Sequence, residues 1–379
     1  MNDKEKKIKT FSVVDGDLDF KHKVILRAEN GKKVIIKGDL SADVKIVAEC
    51  SVEAEDVSVG AYFEVVGALI ANNINVGAHL DVENNIQGNK IYVGGVLDSG
   101  GSITAKKIDV GGKCLAQSDI SAEKMIDVGG VLSTKGKLSS PKIEVGGSCE
   151  ANEVNISEIE VGGSLRVYSS FSAKDIKIGG KLVTKGSLRI SELEVGGLVD
   201  VDGDLTGSTV EVGGTLKVGN NLTMENSIEV GGKLKVVGDV VGDNIEVGGV
   251  AKANKFEARI IEIGGKIKAS GGIFAKELFK IGKRGKVIGY LVGGNVIIGK
   301  KAKAGNILAD KLVLKSKSEV WNIFARDITI EANVIVHGTI KYIDKLSADS
   351  TIKYIKNPEQ TTELPSFSDL KHLNETNEE

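Results

Sequence analysis

Ile228–Asn244 reads IEVGGKLKVVGDVVGDN, and its periodicity decides the fold. Ile228 and Val230 flank Glu229, Leu234 and Val236 flank Lys235, and Val240 follows a Gly238-Asp239 step. Apolar residues two apart with a charged residue between them are the pattern of a strand with one buried and one wetted face. A helix needs apolar residues three and four apart, sustained over ten or more positions. The stretch instead predicts three short strands, with glycines at the steps between them. Glycine is expected there to supply the positive φ of a sharp turn.

The same unit recurs along the chain. Taking Val230 as the anchor, equivalents stand at Val59, Val76, Val93, Val110, Val128, Val145, Val161, Ile178, Val195, Val212, Val247, Ile263, Ile281 and Ile298, always 16, 17 or 18 residues apart. Eleven successive anchors, Val93 to Ile263, are followed by Gly-Gly. The rhythm continues without the glycines at Leu314, Ile330 and Leu346. A three-strand unit this short cannot bury its apolar face alone, whereas stacked units bury a continuous interior. The fold class is therefore all-β: one parallel β-helix, or β-solenoid, with three short strands per turn of 16–18 residues. Unequal sides and drifting turn lengths favour the right-handed form. Roughly 18 to 20 turns at about 4.8 Å each would make a rod on the order of 90 Å long. The expected organisation is a charged segment or cap over 1–23, the solenoid over 24–357, and a polar tail or short capping helix over 358–379.

Composition agrees. Aromatic residues are 4% of the chain and proline occurs 3 times, so the core is thin and filled by Val, Ile, Leu and Ala. Fifty basic and 52 acidic residues give a net charge of −2, which supplies no bulk attraction to nucleic acid or to an anionic membrane. No run of apolar residues is long enough to span a bilayer as a helix. Three scattered cysteines, Cys50, Cys114 and Cys149, make no disulfide framework, and they point to a reducing, cytoplasmic setting. Cys114 and Cys149 fall two turns apart, about 10 Å, too far for a disulfide.

The recurring Gly-Gly units, IEVGGKLKV at 228–236 among them, resemble the bactofilin family of polymer-forming cytoskeletal proteins, in particular its long archaeal members. The resemblance covers roughly residues 24–355, and GTIKYIDKLSADSTIKYIKNPEQTTELP at 338–365 is similar to the way such chains end. It implies a right-handed three-sided β-helix that polymerises into filaments or scaffolds without nucleotide. This chain is around three times longer than a typical bactofilin solenoid, and it lacks the short apolar N-terminus of some members.

Chemistry-bearing patterns are sparse. His22, His79, His337 and His372 are far apart and do not share positions in neighbouring turns, whereas a general base needs a partner in reach. The three cysteines lack zinc-ligand spacing. The glycines of 271–294 lack the strand–loop–helix context of a phosphate cradle, and the residue after each Gly-Gly is not the aspartate that calcium-binding repeats require. The expectation is a non-enzyme without cofactor or metal.

Two outward rows stand out. The residue before each anchor gives Glu194, Glu211, Glu229, Glu246 and Glu262, and the third residue after Gly-Gly gives Lys217, Lys235, Lys252 and Lys268. These are candidate assembly stripes through which one copy could meet another. Aromatics cluster late, and Trp321 with Phe324 is a candidate partner face; the simpler alternative is that wider turns need larger core residues. The leading functional expectation is a cytoplasmic scaffold or filament subunit that assembles with itself through solenoid edges or charged faces, with other protein partners open. The alternative is a monomeric β-helical module that presents a surface to a protein or glycan.

Overall fold

The computed structural model describes residues 7–366 and Asp369. Its regular elements are β-strands, from Lys7–Phe11 to Glu359–Gln360, wound as a parallel β-solenoid of about 21 turns. No helix among the described residues is long and apolar enough to cross a membrane. Two compact units, Met1–Gly186 and Ser187–Glu379, make up the chain, and the same stacked turns build each.

In the second unit the anchors stack on one another. The strands Leu205–Val212, Leu222–Val230 and Val240–Val247 pair with Val212 opposite Val230 and Val230 opposite Val247. These anchors are buried, as are Val210, Ile228 and Ile245 beside them. The period-two pattern thus becomes ladders of like side chains along the interior, one rung per turn. Where a turn has 18 residues, the extra one is absorbed as a bulge within a strand; along Leu222–Val230 the register against Leu205–Val212 shifts between Gly207 and Thr209.

The glycine pairs have a different cause from the expected one. Positive φ among the described glycines occurs only at Gly16, Gly31, Gly67, Gly272 and Gly289, none of which belongs to a pair after an anchor. The pairs are required by the stack. A Cβ on Gly231 would stand 2.5 Å from the carbonyl oxygen of Gly213, one turn back, and one on Gly265 would stand 2.6 Å from that of Gly249. Removing Cβ lets the corners approach closely enough for Gly231 N–H to donate to Val212 O at 2.9 Å and Lys233 N–H to Gly214 O at 2.9 Å.

A second corner is held by side chains. Asn221 N–H donates to Asp204 Oδ1 and Asp239 N–H to Asn221 Oδ1, both at 3.0 Å, and Asn254 Nδ2 donates to Asp239 Oδ1 at 2.7 Å. Short amide and carboxylate side chains imitate backbone acceptors at turns, and here they satisfy donors of the next turn.

Both ends of the strand pattern extend past the expected limits. In the first unit Lys7–Phe11 pairs with Val24–Ala28, Val13–Val14 with Ile35 and Ile36, and Leu18–Phe20 with Leu40–Ala42. Residues 7–20 of the segment expected as a charged cap form a solenoid turn. Its pattern was hidden because Lys7 and Lys9 take the register of the interior residues Val24 and Leu26. In the second unit Lys353–Tyr354 pairs with Ile335 and Val336, and Glu359–Gln360 with Lys341 and Tyr342, so strands continue into the expected tail. Of the expected capping helix, Phe367, Leu370 and Leu373 lie outside the described residues. Ser366 N–H donates to Asp369 Oδ2 at 2.9 Å and Asp369 N–H to Ser366 Oγ at 3.4 Å, the reciprocal pattern of a capping box.

Candidate assembly faces

The expected acidic row is a ladder in the second unit. Register places Glu194 beside Glu211, then Glu229, Glu246 and Glu262 on successive turns. The ladder ends at Lys280, whose Nζ lies 2.7 Å from Glu262 Oε2. Glu211, Glu229 and Glu246 border a shallow groove of about 250 Å³ floored by Gly213, Gly231 and Gly248. Like charges about 4.8 Å apart in water repel by just under 1 kcal/mol per neighbour, a cost that salt reduces.

The first unit carries a matching row, Asp109, Asp127, Glu144 and Glu160. There partial burial, then the charges of Asp109 and Glu144, push the Asp127 carboxyl above the usual range. Lys107 and Lys142 each pair with a carboxylate of this row, Asp109 and Glu144.

The lysine row is also in register. Lys217, Lys235, Lys252 and Lys268 occupy successive turns of the strands Thr215–Val218, Lys233–Val236, Val250–Ala253 and Lys266–Ala269. It begins beside Asp200, 3.8 Å from Lys217 Nζ, and gives way to Ile288. The acidic and lysine ladders flank the same glycine corner, one on either side, and all four lysines are exposed.

Beyond Ile281 this corner changes construction, which the sequence reading passed over. Ile263 is opposite Ile281 while Lys266 is opposite Lys286, so two residues are added between the strands. The sequences are Gly282-Lys283-Arg284-Gly285, Gly299-Lys300-Lys301-Ala302 and Lys315-Ser316-Lys317-Ser318. Arg284, Lys301, Lys317 and Asn333 all adopt φ near +60°, at 60°, 60°, 62° and 58°. Such residues normally avoid this region. Here Arg284 N–H donates to Lys300 O at 2.9 Å, and Lys301 and Lys317 N–H donate to Ser316 and Ala332 O at 3.1 Å, so each turn locks the one before it. The visible signal was a basic pair or its equivalent recurring at the repeat spacing where Gly-Gly stops.

Trp321 and Phe324 do not form a common face. Trp321 is 44% exposed and stacks on His337, with ring centroids 4.6 Å apart. Phe324 is only 5% exposed. It belongs to an outward stripe of Phe274, Val292, Leu308 and Phe324 on successive turns. Leu364, from the segment after the last strand, packs over this stripe together with Tyr290. Tyr290 donates its hydroxyl to Gly271 O at 2.7 Å and meets the Phe274 ring edge-on at 6.0 Å. A cavity of about 600 Å³ runs beside the stripe, bordered by Phe274, Val292, Leu308, Leu364 and Pro365. The larger-core alternative holds for Phe256 and Phe279, which are fully buried in the interior.

The remaining candidates for chemistry are dispersed. His79 stacks on Tyr62 at 5.8 Å, and His337 Nε2 lies 3.9 Å from Glu319 Oε2. Cys114 and Cys149 stack on either side of Leu132, two turns apart as the repeat predicts, and burial pushes both thiols up to about 12. Among the described residues no group of three or more His, Cys, Asp or Glu is set to hold a metal ion. The chain matches no protein-family model, no curated protein and no solved structure.

Proposed function

We propose that this protein is a non-catalytic structural subunit, bactofilin-like in kind, that assembles with copies of itself in the cytoplasm through its charged faces. The observation that carries the proposal is the pair of ladders in the second unit, Glu194 to Glu262 and Lys217 to Lys268, opposite in sign and equal in pitch. Rows of equal repeat can meet at every rung at once, so individually weak surface pairs sum over a long contact. Lateral assembly is favoured over stacking on the Lys7–Phe11 edge. Among the described residues Lys7–Phe11 pairs with Val24–Ala28 on one side, and a strand added on the other would bury Lys7 and Lys9, whose charge disfavours it. Free, buried thiols at Cys50, Cys114 and Cys149 suit a reducing compartment.

The alternative is a monomeric module that presents a surface to a protein or glycan. The exposed Trp321 ring beside His337 and Glu319 favours it, since aromatic faces with polar neighbours anchor such partners. Electron microscopy and sedimentation at micromolar protein separate the two. Filaments or sheets at low salt that dissolve near 1 M salt support self-assembly. Single chains at every salt and concentration would sink it.

A further inference from the structure

Along one corner of the second unit the charge reverses. Glu211, Glu229, Glu246 and Glu262 stand on four successive turns, and the next turns of the same corner carry Arg284, Lys300, Lys301 and Lys317. We propose that this corner is a docking surface for a second copy of the chain, bound antiparallel about a two-fold axis near the Glu262–Lys280 rung. Glu229, Glu246 and Glu262 of each copy then lie on the three basic corners of the other, and Glu211 on the Asn333 corner that follows them. The proposal rests on the reading of the protein as self-assembling, and it pairs the acidic ladder with the basic corners beyond it in place of the lysine ladder beside it.

Three features choose this occupant. The first is pitch: both arms belong to one stack, whose anchors Ile263, Ile281, Ile298 and Leu314 are in register, so acidic and basic groups repeat at the same ~4.8 Å spacing. Parallel contact of two copies through this corner would oppose Glu to Glu and Lys to Lys. Antiparallel contact alone opposes unlike charges in both halves, and it closes as a symmetric pair.

The second feature is relief. The acidic arm borders a groove whose floor is glycine backbone, while the basic arm sits on corners with two added residues and left-handed Arg284, Lys301 and Lys317. A recess faces a projection across the two-fold axis. The third is vacancy: among the described residues Arg284, Lys300, Lys301 and Lys317 are exposed and make no ion pair within the chain. A polyanion could occupy the basic arm, but it would leave the acidic arm unmatched.

Sedimentation velocity of full-length chains at low ionic strength tests the pairing. One variant carries Arg284→Glu, Lys300→Glu, Lys301→Glu and Lys317→Glu; the other carries Glu211→Lys, Glu229→Lys and Glu246→Lys. Each alone is expected to lose pairing by ~100-fold or more in association constant, and an equimolar mixture is expected to recover it, because an acidic corner then meets a basic one in which only Glu262, held by Lys280, is unreversed. Neutral versions, with Gln in place of Arg284, Lys300, Lys301 and Lys317, should lose ~10-fold without new repulsion. Circular dichroism verifies folding of each. If wild type assembles and both reversed variants assemble equally well, or if folded variants fail to pair when mixed, this proposal falls while self-assembly stands. The same holds if polyphosphate binds wild type through the basic arm and the chains do not pair through it. If wild type stays a single chain throughout, both readings fall.

Discussion

Gly231→Ala probes the physical reason for the glycine pairs. The new Cβ would sit 2.5 Å from Gly213 O and 3.3 Å from its carbonyl carbon. An ordinary carbon–oxygen contact needs about 3.3 Å, so the two turns must part locally by several tenths of an ångström. That stretches the flanking bonds from Gly231 N–H to Val212 O and from Lys233 N–H to Gly214 O, now 2.9 Å each. Forcing a methyl into a close-packed site costs about 1–3 kcal/mol. A unit of this size loses roughly 2–4 °C of melting temperature per kcal/mol, so thermal melts should shift down by roughly 2–12 °C. Ala61→Gly is the control: the corner there already holds an alanine beside Gly60, so no close contact is relieved. A melting temperature for Gly231→Ala within about 1 °C of wild type would refute the close-approach argument.

Other outcomes follow from the same contacts. Leu364→Asp places a charge on the stripe of Phe274, Val292, Leu308 and Phe324; a dye that binds exposed apolar surface should brighten, and stability should fall by about 1–2 kcal/mol. Lys315, with the Ser316 amide and hydroxyl, holds the Glu331 carboxyl down to about 2. A lowered native value stabilises above the ordinary carboxylate range, and the benefit is lost as pH falls toward 2. At face value this is about 3 kcal/mol, but the side chain is 37% accessible, and screening reduces it to roughly 1 kcal/mol. Glu331→Gln should therefore destabilise at neutral pH and converge with wild type in acid; a pH-independent difference in urea midpoints would contradict it. Buried Cys114 and Cys149, with thiols pushed up to about 12, should resist maleimide at neutral pH and react fully in denaturant. Rapid labelling of the native protein would show that the core opens.

The fold was legible because a solenoid writes its geometry into the chain. Each anchor must stack on the previous one, so Val212, Val230 and Val247 repeat at the length of a turn. The two charged rows were legible for the same reason, since outward residues share that spacing. What stayed hidden depends on neighbours a turn away. Glycine looks alike whether it serves a positive φ or a close carbonyl, and only the distance from Gly231 to Gly213 distinguishes them. Lys7 and Lys9 look like a solvated segment because an edge turn need not fill its interior register. Phe324 looks like a surface aromatic until Leu364, forty residues later, is seen to cover it.

These failures share a physical cause that bears on function. Interior ladders of Val, Ile and Leu consume the alternate positions of every strand, so a solenoid can vary only its outward rows, its corners and its two edges. In the second unit the outward rows carry uniform sign over four or five turns, which a merely soluble surface does not need, since mixed charges serve solubility as well. The corner that flanks them is bare glycine where the row is acidic and enlarged with Lys and Arg where the acidic row ends. The enlarged corners hold non-glycine residues in a conformation that disfavours them. A stack content to remain alone could have continued Gly-Gly at no such cost. That expense, set beside an acidic ladder of equal pitch, is what a surface built to meet its own copy would require.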